Sequence, residues 1–189
     1  MLCVGYLGEQ IRDFVGDGES FGLRVEYSWD GQVPLGTAGA LLRAQPKLGS
    51  AFFTIYGDSY LPCDYRVVEN AFLSSERQGL MTVFRNEGRW VTSNVEFANG
   101  RILAYDKSQQ TQYMHYIDYG LSVFRRSAFN DLLRLPADLS SVHEDLLRSD
   151  QLEGFEVQER FYEVGSFEGM NSLSEWIERE RRVGCEGKA

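Results

Sequence analysis

A chain of 189 residues with 43% hydrophobic and 25% charged residues has the balance of a soluble globular domain and the length for one well-buried core. A net charge of −9 argues against a nucleic-acid surface, although a few cations and a metal suffice to hold phosphates. No apolar run approaches a membrane span, and Met1-Leu2-Cys3-Val4 lacks the basic start of a signal peptide, so the expectation is a cytoplasmic protein without a membrane partner. Cys3, Cys63 and Cys185 are odd in number and far apart, which suggests reduced thiols rather than a zinc or redox site. With only His115 and His143 available, any metal would be held by carboxylates, which favours magnesium.

Leu2-Cys3-Val4-Gly5 reads as the end of a strand. Leu7, Ile11, Phe14 and Val15 recur at helical spacing, and Gly16-Asp17-Gly18 stops that helix. Leu23 to Tyr27 alternates as a strand, so the chain opens strand–helix–strand, as a parallel α/β fold does. In Pro34-Leu35-Gly36-Thr37-Ala38-Gly39-Ala40 small residues precede an apolar helix, with Thr37 placed to cap it. Such a start offers backbone N–H groups to a flat ligand; it equally suits a small-residue helix packed tightly on a sheet.

Phe52 to Tyr56 predicts a buried strand, broken by Gly57 with Asp58 at once behind it. In open α/β sheets ligands sit beyond the carboxyl ends of strands, where Asp58 would be a lone carboxylate with Ser59, Tyr60 and Asp64 extending a polar lip. On these residues alone, Gly57-Asp58 reads more readily as a simple turn. Tyr65, Val68, Phe72 and Leu73 predict a helix, and Gly79 to Phe84 the next strand.

The rhythm then changes. Asn94 to Ala98 and Arg101 to Tyr105 flank Asn99-Gly100, a strong hairpin signal. Asp106-Lys107 ends the second arm. Tyr116 to Phe124 is β-rich around Asp118-Tyr119-Gly120, whose glycine marks a bulge or a close ligand. Ser127 to Leu133 predicts a short helix. Ser141-Val142-His143-Glu144 resembles a capping box opening a helix through Leu147, with His143 on its surface. Gly154 to Gln158 and Phe161 to Val164 read as strands. Ser166 caps a last helix whose apolar face is Met170, Leu173, Trp176 and Ile177, and Val183 to Ala189 is expected to fray.

The stretches VGYLGEQIRDFVGDG, PLGTAGALLRA, the strand with Gly57-Asp58, NVEFANGRILAYDK, IDYGLSVF and ERFYEVGS, in this order, resemble the sugar-1-phosphate nucleotidyltransferases. The resemblance covers nearly the whole chain and looks closest to the mannose-1-phosphate and heptose-1-phosphate guanylyltransferases. It implies a Rossmann-like (GT-A-like) α/β domain with a mixed sheet and an added antiparallel hairpin. It implies that Leu35, Gly36, Thr37, Ala38 and Gly39 lie against a nucleotide base. Asp58 and Glu163 would hold a magnesium ion, Asp58 and Lys107 would be catalytic, and Asp106, Lys107, Asp118 and Gly120 would bind the sugar phosphate. The implied reaction joins a nucleoside triphosphate, GTP in this reading, to a sugar 1-phosphate.

The chain departs from the family in places. The family's glycine-rich loop with arginine, which cradles the triphosphate, finds no counterpart in these 189 residues. The expectation is therefore a single domain, 1–189, lacking its first βαβ unit and truncated at the N-terminus. Glu163 stands where the family has aspartate, and Asp118 adds negative charge to a pocket for a phosphosugar. A nucleotidyltransferase in incomplete form and a non-catalytic regulatory or assembly relative both remain open. A metal-dependent glycosyltransferase would want an Asp-x-Asp pair, which Asp58-Ser59-Tyr60 does not supply. The oligomeric state, a homo-oligomer included, is open.

Overall fold

The computed structural model describes residues 1–130 and 134–186. Strands β1 (Leu2–Val4) and β2 (Tyr27–Trp29) form a small parallel sheet, with helix α1 (Gly8–Val15) between them in sequence. Helix α2 (Gly36–Ala44) leads to β3 (Ala51–Ile55). The short strand β4 (Ser59–Tyr60) and helix α3 (Tyr65–Ser75) precede β5 (Gly79–Arg85). The hairpin β6 (Val95–Ala98) and β7 (Arg101–Tyr105) leads to the long β8 (Tyr116–Arg125). Helix α4 (Leu139–Arg148), β9 (Leu152–Val157), β10 (Tyr162–Glu163) and helix α5 (Phe167–Glu186) complete the chain.

The main sheet is mixed. β8 pairs antiparallel with β3, β5 and β6, and β5 pairs parallel with β9. β3 and β5 are therefore parallel to each other, joined through α3. Two apolar layers cover this sheet. One gathers Met81, Val83, Phe124 and Leu152 with Val142 and Leu146 of α4 and Val95 and Ile102 of the hairpin. The other gathers Leu80, Leu121 and Val123 with Val68 and Phe72 of α3. The hairpin comes down on β9 at Gly154: a Cβ there would meet the Phe97 ring at 2.7 Å and Ile102 at 2.9 Å. Asn99 and Gly100 both take positive φ, the backbone a two-residue hairpin turn requires.

Gly120 does mark a bulge. Across from it the β5 register jumps between Met81 and Val83, Gly120 takes φ +92°, and the Thr82 hydroxyl donates to the Leu121 carbonyl at 2.7 Å.

Several expectations need correction. The second strand begins at Tyr27, not Leu23, because its register is set by Leu2↔Tyr27 and the Val25 N–H instead donates to the Asp17 carbonyl. Thr37 lies inside α2, not at its cap; its hydroxyl accepts the Leu139 N–H at 2.8 Å and so serves the start of α4. Asp64 is not part of a lip: it caps α3, accepting from the N–H groups of Arg66 and Val67. α4 starts at Leu139, so the capping-box reading at Ser141 fails, and Ser141 donates back to the Asp138 carbonyl. His143 is fully buried rather than on the surface, because the face of α4 that carries it is the one packed on the sheet. β3 is only half-buried, and among the described residues it pairs on one edge only, with β8. The helix expected from Ser127 is a single 3-10 turn, Arg126–Phe129, and residues 131–133 lie outside the described residues. α5 continues to Glu186 rather than fraying at Val183; residues 187–189 lie outside the described residues.

Candidate functional site

At the carboxyl end of β3 the chain passes through Tyr56 and Gly57 to Asp58 and enters β4. β4 pairs antiparallel with β10, with Glu163 opposite Ser59, and the Val164 N–H donates to the Asp58 carbonyl at 2.7 Å. Asp58 and Glu163, more than 100 residues apart in sequence, thus sit on neighbouring strands of one two-stranded ribbon, at adjacent positions and not directly opposite each other. Gly165 lies beside this carboxylate: a Cβ there would make ordinary contact with Asp58 Oδ2 at 3.9 Å. Asp58 and Glu163 are both exposed, and neither makes an ion pair among the described residues.

Lys107 enters from the hairpin. Its ammonium sits 3.7 Å from Asp118 Oδ2 and over the rings of Tyr56 (5.6 Å) and Tyr105 (5.9 Å). The Asp118 side chain is 4% exposed and its oxygens are occupied: Oδ1 accepts the Gly120 N–H at 3.0 Å, and Oδ2 accepts the Tyr105 hydroxyl at 3.2 Å. Asp118 therefore faces Lys107, and the charge it adds is balanced. Burial, and then the Asp118 carboxylate, push the Tyr105 and Tyr56 hydroxyls well above the usual phenol range, so both remain neutral donors.

Asp106 does not face the cleft in the same way. Its Oδ1 accepts from Ser108 N–H (2.7 Å), Ser108 Oγ (2.7 Å) and Gln109 N–H (2.9 Å), and these bonds, the Ser108 hydroxyl first, hold its carboxyl below the usual range. It shapes the loop that carries Lys107.

The start of α2 is also committed. The N–H groups of Ala38 and Gly39 both donate to the Ala137 carbonyl (2.9 and 3.3 Å), and the Ala137 N–H returns to Leu35 at 2.9 Å. A Cβ at Gly36 would collide with the Ala137 backbone. The small residues thus serve close packing on the segment before α4, and the helix-start N–H groups at 38 and 39 are not available to a ligand's acceptor. Gly36 and Thr37 still line the cavity, of about 680 Å³, that also reaches Tyr56, Gly57, Gly120 and Asp138.

The structure therefore places Lys107 against Asp118, Tyr56 and Tyr105, puts Asp58 and Glu163 at the β4–β10 ribbon that follows Tyr56 and Gly57, and lines the cavity with Gly36, Thr37 and Gly120. Sequence reading missed Tyr56, Tyr105, Asn94 and Asp138. Asn94 ties the hairpin to β8: its Oδ1 accepts the Asp118 N–H and its carbonyl accepts the Asp106 N–H, both at 3.0 Å. The only signal for it was an amide at the foot of a hairpin. Tyr56 and Tyr105 read as strand apolars, and only their shared neighbour Asp118 reveals their hydroxyl-bearing side.

Among the described residues no cluster of three or more acidic, histidine or cysteine side chains forms a complete metal cage. Two exposed, unpaired carboxylates suit magnesium, which keeps several waters and takes one or two carboxylates plus phosphate oxygens. They would not suit a zinc or calcium site that depends on protein donors alone.

No protein-family model matches the chain. A curated relative, the N-acetylmuramate alpha-1-phosphate uridylyltransferase of Neisseria meningitidis serogroup B (strain ATCC BAA-335 / MC58), is 38% identical over 61 residues, 32% of this chain and 26% of that protein's length. Among solved structures, a putative glucose-1-phosphate thymidylyltransferase from Bacillus anthracis matches with TM-score 0.75 and 16% identity, over 87% of this chain and 69% of the other. HddC from Yersinia pseudotuberculosis, solved with GMP-PN, matches with TM-score 0.73 and 19% identity, over 93% and 77%. The inositol-1-phosphate CTP transferase of T. maritima matches with TM-score 0.65 and 19% identity, over 89% and 69%. The expected α/β architecture with a mixed sheet is thereby confirmed: the chain has the fold of the sugar-1-phosphate nucleotidyltransferases and resembles one of them in sequence over a third of its length.

Proposed function

We propose that this chain carries the metal and sugar-phosphate half of a nucleotidyl transfer from a nucleoside triphosphate to a sugar 1-phosphate. The observation that carries the reading is the position of Lys107 over Tyr56, two residues before Asp58 at the carboxyl end of β3, where the β4–β10 ribbon also brings in the strand of Glu163. In the reaction a phosphate oxygen of the sugar 1-phosphate bonds to the α-phosphorus, the bond from that phosphorus to the β-phosphate oxygen breaks, and pyrophosphate leaves. Both reactants are anions, so positioning and charge cancellation carry the rate. Asp58 and Glu163 would hold a magnesium ion, which when bound supplies positive charge between the two phosphates. Lys107, held over Tyr56 and Tyr105 and 3.7 Å from Asp118, presents its ammonium to the sugar's phosphate from a fixed position. No side-chain base is required, because that phosphate is ionised near neutral pH. GTP is the donor we favour, on overall sequence similarity. The related proteins above act, by their names, with uridylyl, thymidylyl and cytidylyl donors as well.

The test is magnesium-dependent pyrophosphate release from each of the four ribonucleoside triphosphates and dTTP, with mannose 1-phosphate or a manno-heptose 1-phosphate. Asp58→Asn is expected to lower any turnover by ~100-fold or more, the scale for removing a positioned electrostatic group. Unchanged turnover would remove Asp58 from the metal site. A second reading rests on one observation: among the described residues the cavity beside Gly36, Tyr56 and Gly57 is lined by no lysine or arginine. A triphosphate there lacks protein cations, so these 189 residues would bind a sugar phosphate without turning it over. Sugar-phosphate binding without pyrophosphate release would decide for this second reading.

A further inference from the structure

A second cavity, of about 570 Å³, opens between the loop that follows β5 and the loop that runs from Lys107 to β8. None of Asp58, Lys107, Asp118, Gly120 and Glu163 lines it, and it shares no lining residue with the cavity beside Tyr56 and Gly57. The Lys107 ammonium lies over Tyr56, in the wall of that other cavity. The second cavity falls within the range of small-molecule sites, roughly 300–1,000 Å³.

Its walls are fixed before any ligand arrives. The backbone N–H groups of Asn86 and Glu87 both donate to the His115 carbonyl (3.1 and 2.8 Å), which ties the two loops together. Asn86 is fully buried, and its amide donates to the Val91 carbonyl (2.5 Å) and to Ser93 Oγ (3.2 Å). Ser93 Oγ also accepts the Gly88 N–H at 3.2 Å. Both acceptor positions of that hydroxyl are taken, so its own proton is left to donate. Trp90 supplies a flat apolar wall. The ring is 40% exposed yet held: Arg160 stacks on it at 4.7 Å, the Tyr162 ring backs Arg160 at 4.9 Å, and Phe84 packs beside it at 5.5 Å. Arg160 and Phe84 do not line the cavity, which therefore meets the part of the indole that they leave open. Glu87, Thr92, Gln110 and Gln112 stand around the ring.

This set of groups selects the ligand. The Glu87 carboxylate is paired with Arg85 and Arg89, both at 2.9 Å, and among the described residues no lysine or arginine lines the cavity. A phosphate would meet a carboxylate and no free cation, which argues against an anionic ligand. An apolar ligand would strand the amides and hydroxyls of the walls. A sugar ring suits both parts: its C–H face lies on the electron-rich face of the indole, and its hydroxyls both donate to and accept from the glutamine amides, Thr92 and Ser93.

We infer that this cavity binds a neutral, unphosphorylated saccharide, stacked on Trp90, at a site separate from the one around Lys107. Nothing in the proposed transfer requires such a site. The Gln110 amide donates to the Lys107 carbonyl at 2.9 Å, so an occupied cavity also steadies the loop that carries Lys107.

The test reads binding and no turnover, so it stands or falls apart from the proposed reaction. Methyl α-mannoside, methyl α-glucoside, N-acetylglucosamine and maltose are titrated into the 189-residue chain up to tens of millimolar. Binding is read by saturation-transfer NMR on the sugar protons and by the Trp90 indole signal, assigned by its loss in Trp90→Phe. At least one sugar is expected to bind and to move the Trp90 signal while those of Trp29 and Trp176 stay in place. Trp90→Ala should weaken that binding by about 10-fold or more, the scale for removing an aromatic anchor. Gln112→Ala, an exposed change that leaves the ring and the fold intact, should weaken it by about 3-fold, the scale of one hydrogen bond. Mannose 1-phosphate should not displace the bound sugar. Binding of none of the sugars by the folded chain overturns the proposal, as does binding that both substitutions leave unchanged. Displacement by mannose 1-phosphate also overturns it, because the sugar would then occupy the Lys107 site. So does a Trp90 shift produced by guanosine or by a proline-rich peptide and by none of the sugars.

Discussion

Helices α1 and α3 each follow a strand, and each shows an apolar stripe at helical spacing. α3 buries Val68 and Phe72 completely against β5, β8 and β9, and Asp64 caps its start with two backbone bonds. α1 buries only Gly8, has no side-chain cap, and leaves Phe14 76% exposed. Periodicity reports which face of a helix is apolar; it does not report whether anything lies against that face. The contrast separates a region whose stability is built in from one whose apolar surface stands open.

The largest effect expected from this contrast is at Phe72. Phe72→Ala removes a ring with 1% exposure from a closed layer and should cost ~3–5 kcal/mol in urea or thermal unfolding. A loss below about 1 kcal/mol would mean that the α3 layer is no better packed than the α1 corner.

Acid should also act on the covered region. His143 is fully buried between the rings of Tyr105 (5.7 Å) and Phe124 (5.2 Å), with Ser122 Oγ 3.0 Å from its Nε2 and no partner for Nδ1 among the described residues. Burial lowers its pKa from 6.5 to about 4, with Asp118 opposing and Lys107 reinforcing the shift. The folded state holds the ring neutral while the unfolded chain protonates it near its ordinary value. Stability is therefore fully present above about pH 6.5 and is lost as pH falls through the folded value near 4, by on the order of 3 kcal/mol. Urea unfolding at pH 7 and pH 4 measures it, and His143→Gln should flatten that difference. An equal pH dependence in the variant would assign the acid sensitivity elsewhere.

His143 also shows what the sequence could and could not disclose. Runs such as Gly79 to Phe84, the Asn99-Gly100 turn and the glycine in Asp118-Tyr119-Gly120 carry local signals, and each was found where it was expected. Asp58 was legible from its place after a predicted strand, whereas the roles of Glu163 and Lys107 came only through family resemblance, because the short β4–β10 ribbon that carries Glu163 has no periodic signature. His143, Asn94 and Tyr105 were illegible because their roles depend on which element packs across them. A histidine on a helix that carries glutamate and aspartate beside it reads as solvated until the sheet closes over it. Likewise, Thr37 seemed to cap its own helix, and only the approach of Ala137 to Leu139 shows that it serves α4.

The smallest effect is expected in the open corner. Phe14 touches Phe21 with ring centroids 5.8 Å apart and is otherwise solvent-facing, so Phe14→Ala in the 189-residue chain should change unfolding free energy by no more than ~0.5 kcal/mol, as exposed substitutions do. A cost of 2 kcal/mol or more in the isolated chain would show that α1 is already covered in solution. The corner would then be an interface between copies of this chain, and the contrast with α3 would be one of partner and not of packing.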